Sequence, residues 1–531
     1  MSAQTVLGDI ADILADRIFL TDDNPRFENP NKIRNDIKKG IKRKKIFEIP
    51  NRGKAILKAI KQLKIGEILL VAGKGHENIQ ELKNKKIFFS DKKQILSAIK
   101  LKNLTLSKDL KINLIKELSK TNKIKSSIVL KKARINSREI KNGDIFFAIK
   151  GKNKDGNKFI GQAFKKKASL AVVNNFNQNN ISNQIKVKDS LKFLTESSKI
   201  FRENIDTKII AITGSCGKTT LKELLGSSLK RISKVSISPK SYNNKYGVPL
   251  SLFNLNQNDN FGVLEIGMDK KGEIDNLSKI VRPDVSIITN ISYAHVKNFK
   301  SLKQIALAKS EIIDNTKDNG IIILNADDAF FSLHKKIASK KNLKIMSFGI
   351  KNKNSNVKLI SIKKIKKKFK INVNINDKKI YFMISNNFEN NILNILATIT
   401  TISIFFNISK ISKNLFTNFK TPSGRGDISQ IKVNNKILNL IDESYNSNPL
   451  SLKSAILNFD KIKINKEKKY LLLGDMLELG KYSKKLHQSI GKIINNTKID
   501  KIFVKGSEVL FTYNSISKKK KGRVLINNSQ I

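Results

Sequence analysis

The stretch richest in chemistry is Gly214-Ser215-Cys216-Gly217-Lys218-Thr219-Thr220, between the apolar run Ile209–Thr213 and the helical pattern LKELLGSSLK. Glycines in a strand–turn–helix let backbone N–H groups curl around phosphate oxygens, and the helix start adds positive potential. Lys218 then reaches the β- and γ-phosphates, and the Thr219 hydroxyl can hold Mg²⁺. The spacing is shorter than the general phosphate loop, whose first glycine would fall at Ile212. Cys216 has two readings: a thiol with lowered pKa at a helix start, or a loop-filling residue, which is favoured.

Further polar groups follow in order. Glu265 ends the run GVLEIG, a Mg²⁺-ligand position at the carboxyl edge of a sheet. Asn290 and His295 lie in TNISYAHVKNF, Lys309 in ALAKSEI, and Asn325 and Asp328 in LNADD. Arg425 lies in PSGRGD and Asp442 in IDESYNSNP. Singly, each has a structural reading: a carboxylate at a strand end caps a helix, and a lone histidine packs.

The elements that must position these groups alternate. From Lys208 the chain reads IIAIT, GVLEIG, VSIITNI and GIIILNADD, apolar runs separated by helical patterns. That predicts a mostly parallel sheet covered on both faces. After Thr421-Pro422 a second βα series reads KILNLIDESY, KKYLLLGDM and KIFVKG. Residues 126–205 read as a compact α/β unit with strands at Asp144–Ile149 and Leu170–Val173. Residues 1–100 predict strands at Ala15–Thr21 and Gly66–Ala72, the second of the fully buried type, ahead of the turn GKGHE. Residues 101–125 are Lys-rich and read as a linker, helical at best. No internal repeat is present.

With 531 residues, the chain has room for three to four domains of roughly 150 residues. Its 39% hydrophobic and 28% charged residues exclude a disordered chain, and 8 Pro with 26 Gly exclude a collagen-like one. One cysteine excludes an intramolecular disulfide framework or a Cys-based zinc site and points to a reducing, cytosolic setting. Lys+Arg 103 against Asp+Glu 44 gives +59. Lysine is spread over every segment alongside Ile and Asn, so coding bias explains the charge better than a nucleic-acid partner does. The N-terminus carries Asp9, Asp12 and Asp16 and lacks the basic start of a secretory signal. Asn390–Ser409 has no charged residue but contains four asparagines, and reads as a buried helix rather than a membrane span.

From about residue 126 onward the chain resembles the Mur ligases, the MurF branch above all. The motifs are TGSCGKTT, SYNNKYGVPLSL, EIGMDKKGEI, TNISYAHV, AKSEI, LNADD, PSGRGD, DESYNSNPLSL and LGDMLELG. The resemblance implies a uridine-binding domain at 126–205, a central ATP-binding domain at 206–420 and a Rossmann-like C-terminal domain at 421–531. It implies a cytoplasmic ATP-dependent ligase that joins D-Ala-D-Ala to UDP-MurNAc-tripeptide through an acyl phosphate, with other Mur enzymes as possible contacts. Gly214–Thr220 would hold ATP, with Thr219 and Glu265 on a first Mg²⁺. His295 and a carbamylated Lys309 would hold a second. Asn325, Arg425 and Asp442 would contact the nucleotide, and Asn243 and Asn244 would line its phosphate side. Tyr445, Asn446, Asn448 and Pro449 would face the dipeptide.

Within RINSREIKNGDIFFAIKGKNKDGNKFI, the positions Ser137, Arg138, Gly151, Asp155 and Gly156 match the family's nucleotide-sugar site. Asn136 and Asn157 stand where Asp and His are usual, and Phe388 and Asn390 where Gly and His are common. Residues 1–100 resemble instead the C-terminal domain of the MurE branch, through TDDNPRFENP and VAGKGHENIQ. That places Asp23, Asn24, Arg26, Gly73 and Glu77 at a vestigial diaminopimelate site, with Arg26 suited to a free carboxylate. The chain reads as the tail of a MurE–MurF fusion or a late-starting frame, with a shortened C-terminus. The alternative function is a catalytically impaired remnant that binds other Mur enzymes; the intact Lys218, Glu265, His295, Lys309 and Asp442 favour the ligase.

Overall fold

The computed structural model describes residues 2–529 apart from 64–66, 75–76, 83–84, 121–127, 129, 152, 178–182, 295, 367, 386–390, 434–435, 463–467 and 528. Two compact units divide the chain, Met1–Asn113 and Leu114–Ile531. His295, Phe388 and Asn390 therefore lie outside the described residues, as do Gly75 and His76 of GKGHE.

The larger unit is built on a nine-stranded sheet. Its order is Val235–Ile237, Phe261–Glu265, Lys208–Thr213, Val285–Ile288, Ile321–Asn325, Lys344–Gly349, Val357–Ile365, Lys368–Ile375 and Lys378–Ser385. The first seven run parallel, as the apolar runs predicted; the last two close the sheet as an antiparallel meander the motifs did not announce. Strand Lys208–Thr213 is flanked on both sides, with Glu265 opposite Ile212 and Ile288 opposite Thr213. The carboxyl ends of neighbouring strands thus converge on the turn after Thr213, where open α/β sheets bind ligands.

Helix Lys218–Lys230 packs Leu221, Leu224, Leu225 and Leu229 into the core beneath that strand. The uncharged stretch becomes helix Ile392–Phe405, buried along most of its length and packed against the same core. Among the described residues no helix is long and apolar enough to cross a membrane.

A four-stranded parallel sheet, Ala133–Arg134, Ile145–Phe147, Leu170–Val173 and Gln184–Lys186, forms the small α/β layer. Asn254 anchors it to the central layer: its amide pairs with both the N–H and the carbonyl of Ala133, at 2.7 and 2.9 Å.

After residue 421 the series differs from expectation. Lys436–Asp442 pairs antiparallel with Asp427–Val433, as a separate two-stranded ribbon. Among the described residues, Tyr470–Gly474, Lys501–Lys505 and Lys521–Val524 form a separate parallel sheet. The apolar pattern of KILNLID cannot distinguish these partners, because the period of a strand does not encode its direction.

In the smaller unit, Arg17–Leu20 pairs parallel with Lys45–Glu48. The predicted buried strand at Gly66–Ala72 is overturned: Glu67–Ala72 forms no strand, and Ile68 and Leu70 are 95% and 85% exposed. Among the described residues no strand pairs the backbone of this run; Leu69 and Val71 pack on Ile56, Ile60 and Ala98, and Ile68 and Leu70 stay at the surface. Residues 101–119 of the Lys-rich linker are part of a continuous helix, Asp91–Ser119, and 121–125 lie outside the described residues.

Candidate active site

The loop after Thr213 needs its glycines. Gly214 has φ +140°, and a Cβ there would lie 2.0 Å from Thr289 Oγ1. Gly217 has φ +79° and opens the helix. These left-handed positions are strained for any residue with a Cβ. Partners from the next strand clamp the loop. Thr289 Oγ1 donates to the Cys216 carbonyl at 2.6 Å, and Asn290 Oδ1 accepts from the Cys216 N–H at 3.0 Å. Ser215 Oγ donates to the Ser292 carbonyl at 3.1 Å. Lys218 Nζ folds back on the Gly214 and Ser215 carbonyls, at 2.8 and 3.4 Å. Burial pushes the Cys216 thiol up, the opposite of activation, which supports the loop-filling reading.

Beside the loop sits a buried hydroxyl–carboxylate pair. Thr219 Oγ1 donates to Glu265 Oε2 at 2.7 Å, and Asn243 Nδ2 donates to Glu265 Oε1 at 2.7 Å. Glu265 is 1% exposed. Two hard oxygen donors beside a phosphate cradle fit a divalent cation such as Mg²⁺.

Residues beyond 421 reach into the same place. Arg425 Nη2 donates to Thr219 Oγ1 at 3.1 Å and its guanidinium stacks 4.1 Å over the Tyr445 ring. Tyr445 OH donates to Ser241 Oγ at 2.6 Å. The Cys216 thiol donates to Asn448 Oδ1 at 3.2 Å, while Asn448 caps helix Pro449–Lys461. A cavity of about 650 Å³ opens next to Thr219, bordered by Lys240, Ser241, Lys420, Arg425 and Tyr445.

Other expected site residues are held in local structure. Asn325 Nδ2 donates to the Thr289 carbonyl at 3.1 Å, and Asp328 Oδ2 accepts from the Ile291 N–H at 2.8 Å. Both tie the loop that clamps the phosphate turn. Asn244 spends its side chain on the turn ahead of Gly247–Phe253, accepting from the Tyr246 and Gly247 N–H groups, while Asn243 makes the contact with Glu265. The Ser444 side chain first and then its N–H, which donates to Asp442 Oδ1 at 2.9 Å, hold the Asp442 carboxyl below the usual carboxylate range. Asn446 is exposed. Lys309 is 1% exposed, and burial holds its ammonium well below the ordinary lysine range, with the Lys218 charge acting in the same direction.

In the small layer, Asn136 Oδ1 accepts from the Arg138 N–H at 3.1 Å, doing the capping an Asp would do. Ser137 donates to Gln162 Oε1 at 2.6 Å, and Arg138 is exposed. Asp155 Oδ1 accepts from the Asn157 backbone and side-chain amides, at 2.9 and 2.7 Å. Gly156 is required, since a Cβ there would lie 2.6 Å from the Ile149 nitrogen. In the smaller unit, Asn24 Nδ2 donates to Glu77 Oε2 at 2.6 Å and Gly73 packs on the Asp23 carboxylate. Arg26 is exposed, has φ +50° and pairs with Glu81 at 3.5 Å.

Sequence reasoning passed over Thr289 and Ser241. Their signal was present: Thr289 precedes Asn290 at a strand end, and Ser241 opens SYNN in the turn after strand Val235–Ile237.

Residues 212–402 match the family model described as the Mur ligase middle domain, and 131–205 that of the Mur ligase family catalytic domain. Residues 2–75 match the Mur ligase glutamate ligase domain. The UDP-N-acetylmuramoyl-tripeptide–D-alanyl-D-alanine ligase of Rickettsia prowazekii is 33% identical over 407 residues, 75% of this chain and 88% of the relative. A crystal structure of MurF from Acinetobacter baumannii superposes with TM-score 0.67 at 27% identity, covering 78% of this chain and 88% of that one. MurF from Thermotoga maritima in complex with ADP gives 0.63 at 27% identity, covering 74% and 88%. A phosphate loop on the central sheet, a buried Thr–Glu pair beside it and this extent of likeness lead to one conclusion: the chain belongs to the Mur ligase family.

Proposed function

We propose that the chain is an ATP-dependent ligase joining D-Ala-D-Ala to UDP-MurNAc-tripeptide in peptidoglycan precursor synthesis. The observation that carries this reading is the Thr219–Glu265 pair beside the phosphate loop, already engaged by Arg425. A carboxylate is a poor electrophile. Transfer of the γ-phosphoryl group from ATP to the tripeptide carboxylate releases ADP and makes an acyl phosphate. The dipeptide amine attacks that carbonyl, loses a proton and expels phosphate. Negative charge develops on oxygen in both steps.

The chain's own groups meet that charge. Loop N–H groups and Lys218, released from its two carbonyls, hold the phosphates. Thr219 and Glu265 would hold Mg²⁺, which when bound neutralises phosphate oxygens. Arg425, fixed by stacking on Tyr445, faces the same oxygens. The remaining assignments rest on the family pattern: Asn325 and Asp442 on the nucleotide, Ser137, Arg138, Asp155 and Gly156 on the UDP-sugar, and Tyr445, Asn446 and Asn448 beside the dipeptide.

Lys309 would be carbamylated. A buried lysine kept neutral is the nucleophile that carbon dioxide requires, and the carbamate formed, with loss of a proton, is an anion that can ligate a metal. With His295 it would complete a second Mg²⁺ site. ¹³C-bicarbonate labelling should give a carbamate resonance that Lys309→Ala abolishes.

The smaller unit would be a relic of MurE-type recognition, with Asp23, Asn24, Arg26, Gly73 and Glu77 as its vestigial site. It points to meso-diaminopimelate as the third residue of the tripeptide. The deciding experiment measures phosphate release. Release that requires both UDP-MurNAc-tripeptide and D-Ala-D-Ala is expected; release indifferent to the dipeptide would refute the assignment.

A further inference from the structure

Lys222 lies one turn into helix Lys218–Lys230, and its side chain is fully buried. A buried ammonium is costly unless every proton finds an acceptor. Lys222 Nζ donates to the Ser238 carbonyl at 2.7 Å and to the Lys240 carbonyl, and Glu223 Oε1 lies at 3.0 Å. Three protons meet three acceptors, so this lysine is committed to the protein.

The two carbonyls belong to the turn that leaves strand Val235–Ile237. Lys240 sits there at φ +48°, a left-handed conformation that non-glycine residues seldom adopt unless neighbours impose it. The next residues reach the metal pair. Ser241 Oγ lies 3.4 Å from Thr219 Oγ1, and Asn243 Nδ2 holds Glu265 Oε1 at 2.7 Å. The Gly267 N–H fixes Asn243 from the other side, donating to its carbonyl at 2.8 Å. A Cβ on Gly267 would press on the Asn243 side chain at 3.0 Å.

We propose that Lys222 is a positioning residue. By pinning the Ser238 and Lys240 carbonyls it forces the strained turn that aims Ser241 and Asn243, and through them it orients Thr219 and Glu265 for a divalent cation. The inference rests on the nucleotide-and-metal reading of the loop but not on the identity of the ligase substrates. Removing a group that orients a metal ligand typically weakens metal binding by about 10–100-fold.

The test is calorimetric, on the full chain, with ADP titrated in excess Mg²⁺ and again in EDTA. Wild type should bind ADP more tightly with Mg²⁺; no such difference would overturn the nucleotide-and-metal reading itself. Lys222→Met keeps the apolar stem and removes the ammonium. Its Mg²⁺-dependent gain in ADP affinity should fall by about tenfold, with metal-free ADP binding shifted by less than about threefold. An unchanged gain in folded Lys222→Met, or an equal loss with and without metal, would overturn the inference. Should Lys222→Met fail to fold, Lys222→Leu, which is shorter and also carries no donor, is read in the same way. If neither folds, Lys222 serves the fold alone, which also overturns it.

Discussion

Two apolar runs in this chain, each followed by a turn of glycine and lysine, meet opposite fates. IIAIT becomes the flanked strand Lys208–Thr213, buried along its length after Lys208. EILLVA forms no strand and turns Ile68 and Leu70 to solvent. Their hydrophobicity is alike, so hydrophobicity did not decide. Strand Lys208–Thr213 has a ladder on each edge and a helix beneath it. In the smaller unit, Arg17–Leu20 pairs with Lys45–Glu48 on one edge, the other ladder is the separate antiparallel pair Ile79–Leu82 with Lys85–Phe88, and among the described residues neither ladder takes in Glu67–Ala72. Backbone N–H and C=O groups must be paired or wet. An apolar run becomes a core strand only where neighbouring edges accept its backbone.

The turn lysines sharpen the contrast. Lys218 rests on two neutral carbonyls and is only partly buried, so phosphate oxygens can displace them. Lys74 is buried, bonded to the Ile79 carbonyl and to Asn24 Oδ1 at 3.4 Å, with Glu77 at 3.8 Å. One lysine is stored for a ligand and the other is spent on its turn.

The largest expected effect separates these lysines. Lys218→Ala should lower ligation by roughly 10²–10³-fold or more, as loss of a charge-stabilising donor does. Lys74→Ala should leave dipeptide-dependent phosphate release near wild type. Equal losses would erase the distinction.

The smaller unit has a buried anchor. Arg52 donates from Nε and Nη2 to the Asp91 carboxylate, at 2.8 and 2.6 Å. Arg52→Ala strands a buried carboxylate and should cost about 3–5 kcal/mol, seen as early urea unfolding of the smaller unit. A shift of the main transition instead would show that this pair does not serve its own unit.

The apolar runs can be compared directly. Ile210→Ala, in a fully buried strand, should cost about 2–5 kcal/mol. Leu70→Ala should stay within about 0.5 kcal/mol. Matching losses in urea titrations would mean that Leu70 is covered in solution.

The smallest effect concerns pH. Burial pushes the Glu443 carboxyl from 4.5 up to about 7; Asp442 and Asp427 add to this and Arg425 opposes it. A raised folded-state pKa contributes stability that is present below 4.5 and lost as pH rises to about 7. The residue is exposed overall, so solvent screening keeps the change small. Glu443→Gln should flatten the decline in Tm over that window. An identical Tm–pH slope in wild type and variant would remove Glu443 as its source.

Legibility in the sequence followed how local each feature is. The run Leu170–Val173 matches the observed strand, because a short buried β-branched run has few other solutions. The uncharged stretch read as a buried helix became Ile392–Phe405 for a similar reason: its hydroxyls bond their own helix, as Thr400 and Thr401 do. Lys436–Asp442 was legible as a strand but not as half of an antiparallel ribbon. Lys222 reads as one more lysine among 103 basic residues, and only its burial against the Ser238 turn singles it out.

What the sequence determined by itself was the phosphate cradle, since the positive-φ backbone at Gly214 and Gly217 and the helix behind them are local. Asn136 as a cap and Asn448 ahead of Pro449 belong to the same class. Tertiary structure alone decided which distant side chains share that cradle. Phe261–Glu265 and Val285–Ile288 flank Lys208–Thr213 on opposite edges, although both follow it in the chain. That order puts Glu265 beside Thr219 and Thr289 beneath Gly214, and the segment beyond residue 421 then adds Arg425. Such contacts span tens to hundreds of residues, so they depend on which strand edges meet, and that is a property of the assembled sheet.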